Sequence, residues 1–136
     1  MKVKLDPGAI CPTRAHKLDA GLDLYATCDK VVPAHGSAIF DTGVHVELPP
    51  FTAGFLKSKS GLNVKHNITS DGVINTEYTG AICVKLYNHG EKDYRVRAGD
   101  KISQLVVVDI RLPHIQIVDS LDDTERGIGG FGSTGR

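Results

Sequence analysis

Paired cysteines are missing from this chain. Cys11, Cys28 and Cys83 are an odd, widely spaced set with no CxxC pair. That speaks against a disulfide framework and leaves an expectation of buried, reduced thiols in a cytoplasmic protein. Long apolar runs are missing too. The start, MKVKLDP, has no apolar stretch of the kind a secretory signal needs, and no run approaches the length of a membrane span. Charge of one sign is not in excess: 16 Lys+Arg balance 16 Asp+Glu. No broad field therefore favours nucleic acid or an anionic membrane, and a polyanionic ligand would have to be small and gripped locally. The six histidines show no HxH or HExxH spacing, which speaks against zinc. A GxxxxGK[ST] phosphate loop is also absent.

What is present suits one globular domain. The chain has 136 residues, 40% of them hydrophobic and 24% charged, and a chain of this size buries roughly two-thirds of its unfolded surface. Short β-type runs recur at 2–5, 31–32, 38–40, 44–48, 52–57, 81–87, 94–96, 101–110 and 115–118. Turn signals separate them at 33–36, 49–50, 89–90 and 98–100. In 81–87 the alternation has period two, with Ile82, Val84 and Leu86 on one face and Cys83, Lys85 and Tyr87 on the other. Many short strands broken by Gly and Pro predict an all-β sandwich or barrel. Only 61–66 has room for a helix.

Four stretches carry residue types suited to chemistry. Asp23 is a lone acid inside the apolar strand 20–26, and a buried carboxylate requires a partner, either a hydrogen-bond donor or a metal shell. KSKSGL at 57–62 offers hydroxyls, a glycine and backbone N–H groups to an anion, or else is a solvated basic turn. GVINTEYTG at 72–80 reads as a hairpin leading into 81–87, with Tyr78 either facing a sugar or half-buried in the hairpin. Near its end the chain reads RGIGGFGSTG at 126–135, where five of the nine residues after Arg126 are glycine. Such a tail can clamp phosphates through glycine N–H groups, Ser133, Thr134 and Arg126, with Phe131 over a base. It can also be an unstructured terminus, since ordering costs about 1–2 kcal/mol per residue.

Taken in order, and with 97–105 as a fifth, these stretches resemble the five motifs of trimeric dUTP diphosphatases. Residues 20–26 resemble the first motif, 58–62 the second, 72–80 the third, 97–105 the fourth and 126–135 the fifth, which is complete. The resemblance implies a distorted jelly-roll β-barrel over 1–125 with a C-terminal arm, 126–136, that closes over a neighbouring subunit's site in a homotrimer. It implies hydrolysis of dUTP to dUMP and pyrophosphate with Mg2+. Backbone groups of Gly72, Val73, Ile74 and the rest of the turn to Gly80 would read uracil, with Tyr78 on the deoxyribose and Phe131 on the base. Lys59, Ser60, Gly61 and Gln104 would serve the phosphate chain. Arg126, Gly132, Ser133 and Thr134 would close on the γ-phosphate, and Asp23 would hold water on the magnesium. The arm is expected to be mobile until a triphosphate binds.

One position departs from that pattern. The third motif commonly reads GVID, and its aspartate activates the attacking water; here the residue is Asn75. An amide accepts a hydrogen bond but is no base at neutral pH, and loss of a general base slows a reaction by about 10²–10⁴-fold. Asn75 is open to three readings: a replacement made to trap substrate, a slow natural variant that binds dUTP in a regulatory role, or a site in which Glu77 takes over the water. Lys59 stands where arginine is commoner, which keeps the charge and loses the bidentate fork. A related enzyme class, dCTP deaminase, uses a glutamate on the strand after the third motif, where this chain has Lys85; deamination is disfavoured.

Overall fold

A computed structural model describes residues 1–130. Its strands are β1 (Lys2–Leu5), β2 (Gly21–Tyr25), β3 (Lys30–Val32), β4 (Ser37–Asp41), β5 (Val44–Glu47), β6 (Thr52–Lys57), β7 (Ile68–Thr69), β8 (Asp71–Ile74), β9 (Cys83–Asn88), β10 (Tyr94–Val96) and β11 (Lys101–Asp109). The helix among the described residues is α1, Ser60–His66. Strands β2, β11, β6 and β8 form one antiparallel sheet in that order, and β4, β9 and β7 form another. β1 pairs with β5, and β3 with β10. The fold is all-β, as the turn spacing predicts.

Alternation sets the core. In β9, Val84, Leu86 and Asn88 are buried while Cys83, Lys85 and Tyr87 face outward. The same rule sends Leu22 and Leu24 of β2, Val44 and Val46 of β5, and Leu56 of β6 into one cluster around Phe40. Phe40 is fully enclosed, at 0% exposure. Phe40→Ala is expected to lower stability by about 3–5 kcal/mol, read as a fall in the urea midpoint, because the aromatic leaves a cavity its neighbours fill only partly.

Strand β11 breaks the alternation once, with consequences for the site. Its register against β2 shifts between Lys101 and Ser103, so Ile102 is an extra, bulged residue and both Ile102 and Ser103 are buried. Residues three apart in a regular strand point to opposite faces. The bulge restores parity and sets Lys101 and Gln104 on the same face.

Several expectations are corrected. All three cysteines are exposed; Cys83 occupies an outward register of β9, and Cys11 and Cys28 lie in connections between strands. Residues 115–118 form no strand: Ile115 is 84% and Ile117 95% exposed, with no ladder partner among the described residues. The stretch 72–80 is not a simple hairpin into the next strand. Its first arm, β8, pairs with β6, whereas β9 belongs to the sheet of β4 and β7. The turn therefore joins two sheets.

The helix is short for a reason. Lys59 caps it with extended backbone and no side-chain bond, and Asn67 ends it in the left-handed region at φ 55. Asn tolerates that conformation better than most residues. Lys65 and His66 in the last turn suit the negative end of the helix dipole.

Candidate active site

Asp23 is the buried acid the strand pattern predicts, and its partners are cations. Its neighbours Leu22 and Leu24 face the core, which turns Asp23 to the other side of β2 beside its cross-strand partner Gln104. Lys59 Nζ donates to Oδ1 at 2.6 Å, Lys101 Nζ to Oδ2 at 2.8 Å, and Gln104 Nε2 to Oδ1 at 3.3 Å. The carboxylate is only 3% exposed. Burial pushes its pKa up, but the hydrogen bonds from Lys101, Lys59 and Gln104 together outweigh burial and hold it below the ordinary 3.8. It is an anion throughout the neutral range.

Lys101 is a member of this cluster that the motif reading did not single out. The signal was available only through the bulge: without the extra residue at Ile102, Lys101 and Gln104 would lie on opposite faces. Gly21 contributes by omission, since a Cβ there would sit 2.9 Å from Gln104 Cβ.

Lys59 is positioned by a hydroxyl network. Ser58 Oγ donates to the Ser70 carbonyl at 3.0 Å and accepts the Ser70 N–H at 2.9 Å. Ser70 and Ser103 hydroxyls meet at 2.8 Å, and Ser103 Oγ also donates to the Lys57 carbonyl at 3.1 Å. These bonds tie the end of β6 to β8 and β11. Ser60 and Gly61, the first residues of α1, are exposed just beyond.

A second cluster is the turn after β8. The Asn75 carbonyl accepts the Tyr78 N–H at 3.0 Å. The Tyr78 hydroxyl donates to the Ala81 carbonyl at 2.9 Å, which lays the ring across Gly80. A Cβ at Gly80 would meet Tyr78 Oη at 2.5 Å and Cζ at 2.6 Å, so the ring position depends on that glycine. Gly72 faces Leu56 across the ladder, and Val73 is 59% exposed while Ile74 is buried. Asn75 is exposed and opens on a groove of about 540 Å3 that Phe51, Glu77, Ile110 and Leu112 help to line. Glu77 thus shares the groove with Asn75.

The two clusters do not meet within one chain. The ladders set Asp23, Gln104, Lys57 and Asp71 in one row across the sheet. Asn75 lies four residues beyond Asp71, about 13 Å along the strand, and three strand spacings from β2, about 14 Å across. The separation is roughly 20 Å, too far for one small substrate group to touch both.

Arg126 belongs to neither cluster. Its Nε donates to the Gly129 carbonyl at 2.9 Å, and the Gly127 and Gly129 N–H groups bond to Thr124 and Arg126 carbonyls. Among the described residues, the recorded hydrogen bonds of 124–129 stay within that segment. Phe131, Gly132, Ser133 and Thr134 lie outside the described residues.

The dUTPase family model matches residues 8–135. The chain belongs to the dUTPase family. It is 43% identical over 135 residues to the deoxyuridine 5'-triphosphate nucleotidohydrolase of Clostridium acetobutylicum, covering 97% of this chain and 93% of that protein. It is 44% identical to the Arabidopsis thaliana protein of the same name, covering 97% and 80%. Among solved dUTPases, that of Staphylococcus bacteriophage 80alpha with dUpNHpp superposes with a TM-score of 0.93 at 30% identity, covering 99% of this chain and 98% of that one. A mutant dUTPase of phage phi11 of S. aureus, described with a coordinated structural Mg(II) ion, gives 0.81 at 27% identity, covering 88% and 96%.

Proposed function

We infer that the chain hydrolyses dUTP to dUMP and pyrophosphate, at a site completed between subunits of a homotrimer. One observation carries the reading: a family member has its motifs folded into two half-sites roughly 20 Å apart in one chain. Each half is ordered and neither is complete. A second copy can bring the Asn75 turn to the Asp23 end, and apolar side chains are available for such contact. Leu112, Ile115, Ile117 and Leu121 are exposed by 72–95%.

The turn takes the nucleoside. Backbone groups of 72–80 read the uracil edge and leave no room for a 5-methyl, while the Tyr78 ring supports the deoxyribose and blocks a 2′-hydroxyl. Lys59, Ser60 and Gln104 take the phosphates. Asn75 orients the water that attacks the α-phosphorus, and pyrophosphate leaves. Arg126, Ser133 and Thr134 of a neighbour's arm neutralise the γ-phosphate, with Phe131 over the base. Phosphoryl transfer of this type is carried mainly by positioning and charge.

The residues fit magnesium in a particular way. Among the described residues no three His, Cys, Asp or Glu come together to hold a metal, so the protein offers no cage. Asp23 has about four lone-pair sites, of which Lys59, Gln104 and Lys101 use three. One remains for a water on an ion carried by the triphosphate, which would orient the phosphates and offset their charge. No helix of the described residues is long and apolar enough to cross a membrane.

Asn75 also favours a slow enzyme that retains its ligand, a state suited to dUTP-dependent binding of a partner. Calorimetric titration separates substrate class from turnover: dUpNHpp is expected to bind and the corresponding thymidine analogue to fail. Equal affinity for the two would sink the uracil reading. Gly80→Ala forces the Tyr78 ring off its seat and is expected to weaken dUpNHpp binding by about tenfold or more, a loss of roughly 1.4 kcal/mol, without unfolding the barrel. Unchanged affinity in that variant would remove Tyr78 from the site.

A further inference from the structure

His45 meets a hydrogen-bond acceptor at each ring nitrogen. It lies on β5 with its side chain 18% exposed. Nε2 is 3.0 Å from Asp6 Oδ2, and Nδ1 is 2.8 Å from the backbone oxygen of Thr79. A neutral imidazole has one N–H and can serve only one of them; serving both takes the imidazolium. Thr79 lies between Tyr78 and Gly80, the two residues that shape the turn, and its carbonyl belongs to the peptide leading into Gly80. One ring therefore joins β5, the residue after β1, and the turn.

We propose that protonated His45 is a positioning residue that clips the nucleotide-binding turn to the β1–β5 strand pair, making affinity for the nucleotide depend on pH. The inference rests on the reading of the turn given above. Deprotonation removes one of the two bonds. Asp6, as an anion, retains the Nε2 proton, and the Nδ1 lone pair then faces the Thr79 oxygen. An attractive contact becomes a repulsive one, and the Thr79–Gly80 peptide, next to Tyr78, loses its tether.

The groups around His45 favour the imidazolium on balance. From β1, Lys4 is its cross-strand partner and opposes protonation, but Lys4 Nζ also lies 3.7 Å from Asp6 Oδ1. Farther along the same pair, Lys2 and Glu47 are bound to each other at 2.9 Å. From the turn, Glu77 lines the Asn75 groove and the Tyr78 hydroxyl is held by Ala81. The hydrogen bond to Asp6, then that to Thr79, outweigh burial and Lys4 and raise the His45 pKa above its ordinary 6.5. The clip is therefore complete below the ordinary value and is lost as pH rises through the raised one.

Binding of dUpNHpp to the full chain, to His45→Ala and to Asp6→Asn over about pH 5.5–9 tests this. Ratios of Kd at each pH cancel the ionisation of the ligand itself. His45→Ala is expected to bind about tenfold more weakly than the unsubstituted chain at the acidic end and equally at the alkaline end. Asp6→Asn is expected to move the step to lower pH. In nitrogen NMR of the unsubstituted chain, both His45 ring nitrogens should carry protons at about pH 6 and keep them to higher pH than an ordinary imidazole does, a readout that does not depend on how His45→Ala folds. A ratio that does not vary with pH, or a His45 with one N–H at that pH, overturns the clip. Failure of the unsubstituted chain to bind at any pH overturns the nucleotide reading of the turn instead, and the clip's functional role with it.

Discussion

Asn75→Asp is expected to raise the rate of pyrophosphate release from dUTP by about 10²–10⁴-fold. The turn already holds position 75 at the mouth of a groove, with the backbone carbonyl of Asn75 fixed by Tyr78. A carboxylate differs from the amide by little in size, so the substitution adds a base without rebuilding the turn. The gain should appear in kcat, with KM for dUTP nearly unchanged, because water activation is needed in the transition state and not for binding. Initial rates for the two forms at saturating dUTP and Mg2+ decide it. A fast unsubstituted chain would point to Glu77, the acid that shares the groove, and Glu77→Gln would then abolish turnover.

Arg126→Ala, made in the Asn75→Asp form, is expected to cut turnover by about 10³–10⁵-fold, the range for an arginine that stabilises transferring phosphates. The same change should leave stability within about 0.5 kcal/mol, since Arg126 is exposed and, among the described residues, its side chain bonds to Gly129 of its own segment. The two readouts together are diagnostic. Loss of activity with an unchanged unfolding midpoint assigns Arg126 to the phosphates. Loss of both would make Arg126 part of the fold, and loss of neither would leave Arg126 without a role in the reaction.

Strand positions were legible because inward and outward residues alternate. The runs at 2–5, 52–57 and 94–96 coincide with β1, β6 and β10. Partnership was less legible. Nothing in 72–80 says that β8 will pair with β6 and not with β9, because pairing depends on which edges are free once the sheets have formed. The run at 115–118 has strand-like residues and no ladder to join, which is why an apolar pattern alone misleads there. Asp23 could be foreseen as a buried acid needing a partner. Its lysine partners could not, since Lys101 reaches it only through the bulge at Ile102, and Lys59 through a serine network spread over β6, β8 and β11. His45 gave no motif signal at all, because its two acceptors come from positions 6 and 79.

Product analysis of dUTP incubated with the unsubstituted chain and Mg2+ tests the dUTP site most directly. The predicted result is dUMP and pyrophosphate in equal amounts, formed slowly, with dCTP and dTTP left intact under the same conditions. Ammonia from dCTP, inorganic phosphate from dUTP, or equal cleavage of dUTP and dTTP would contradict it.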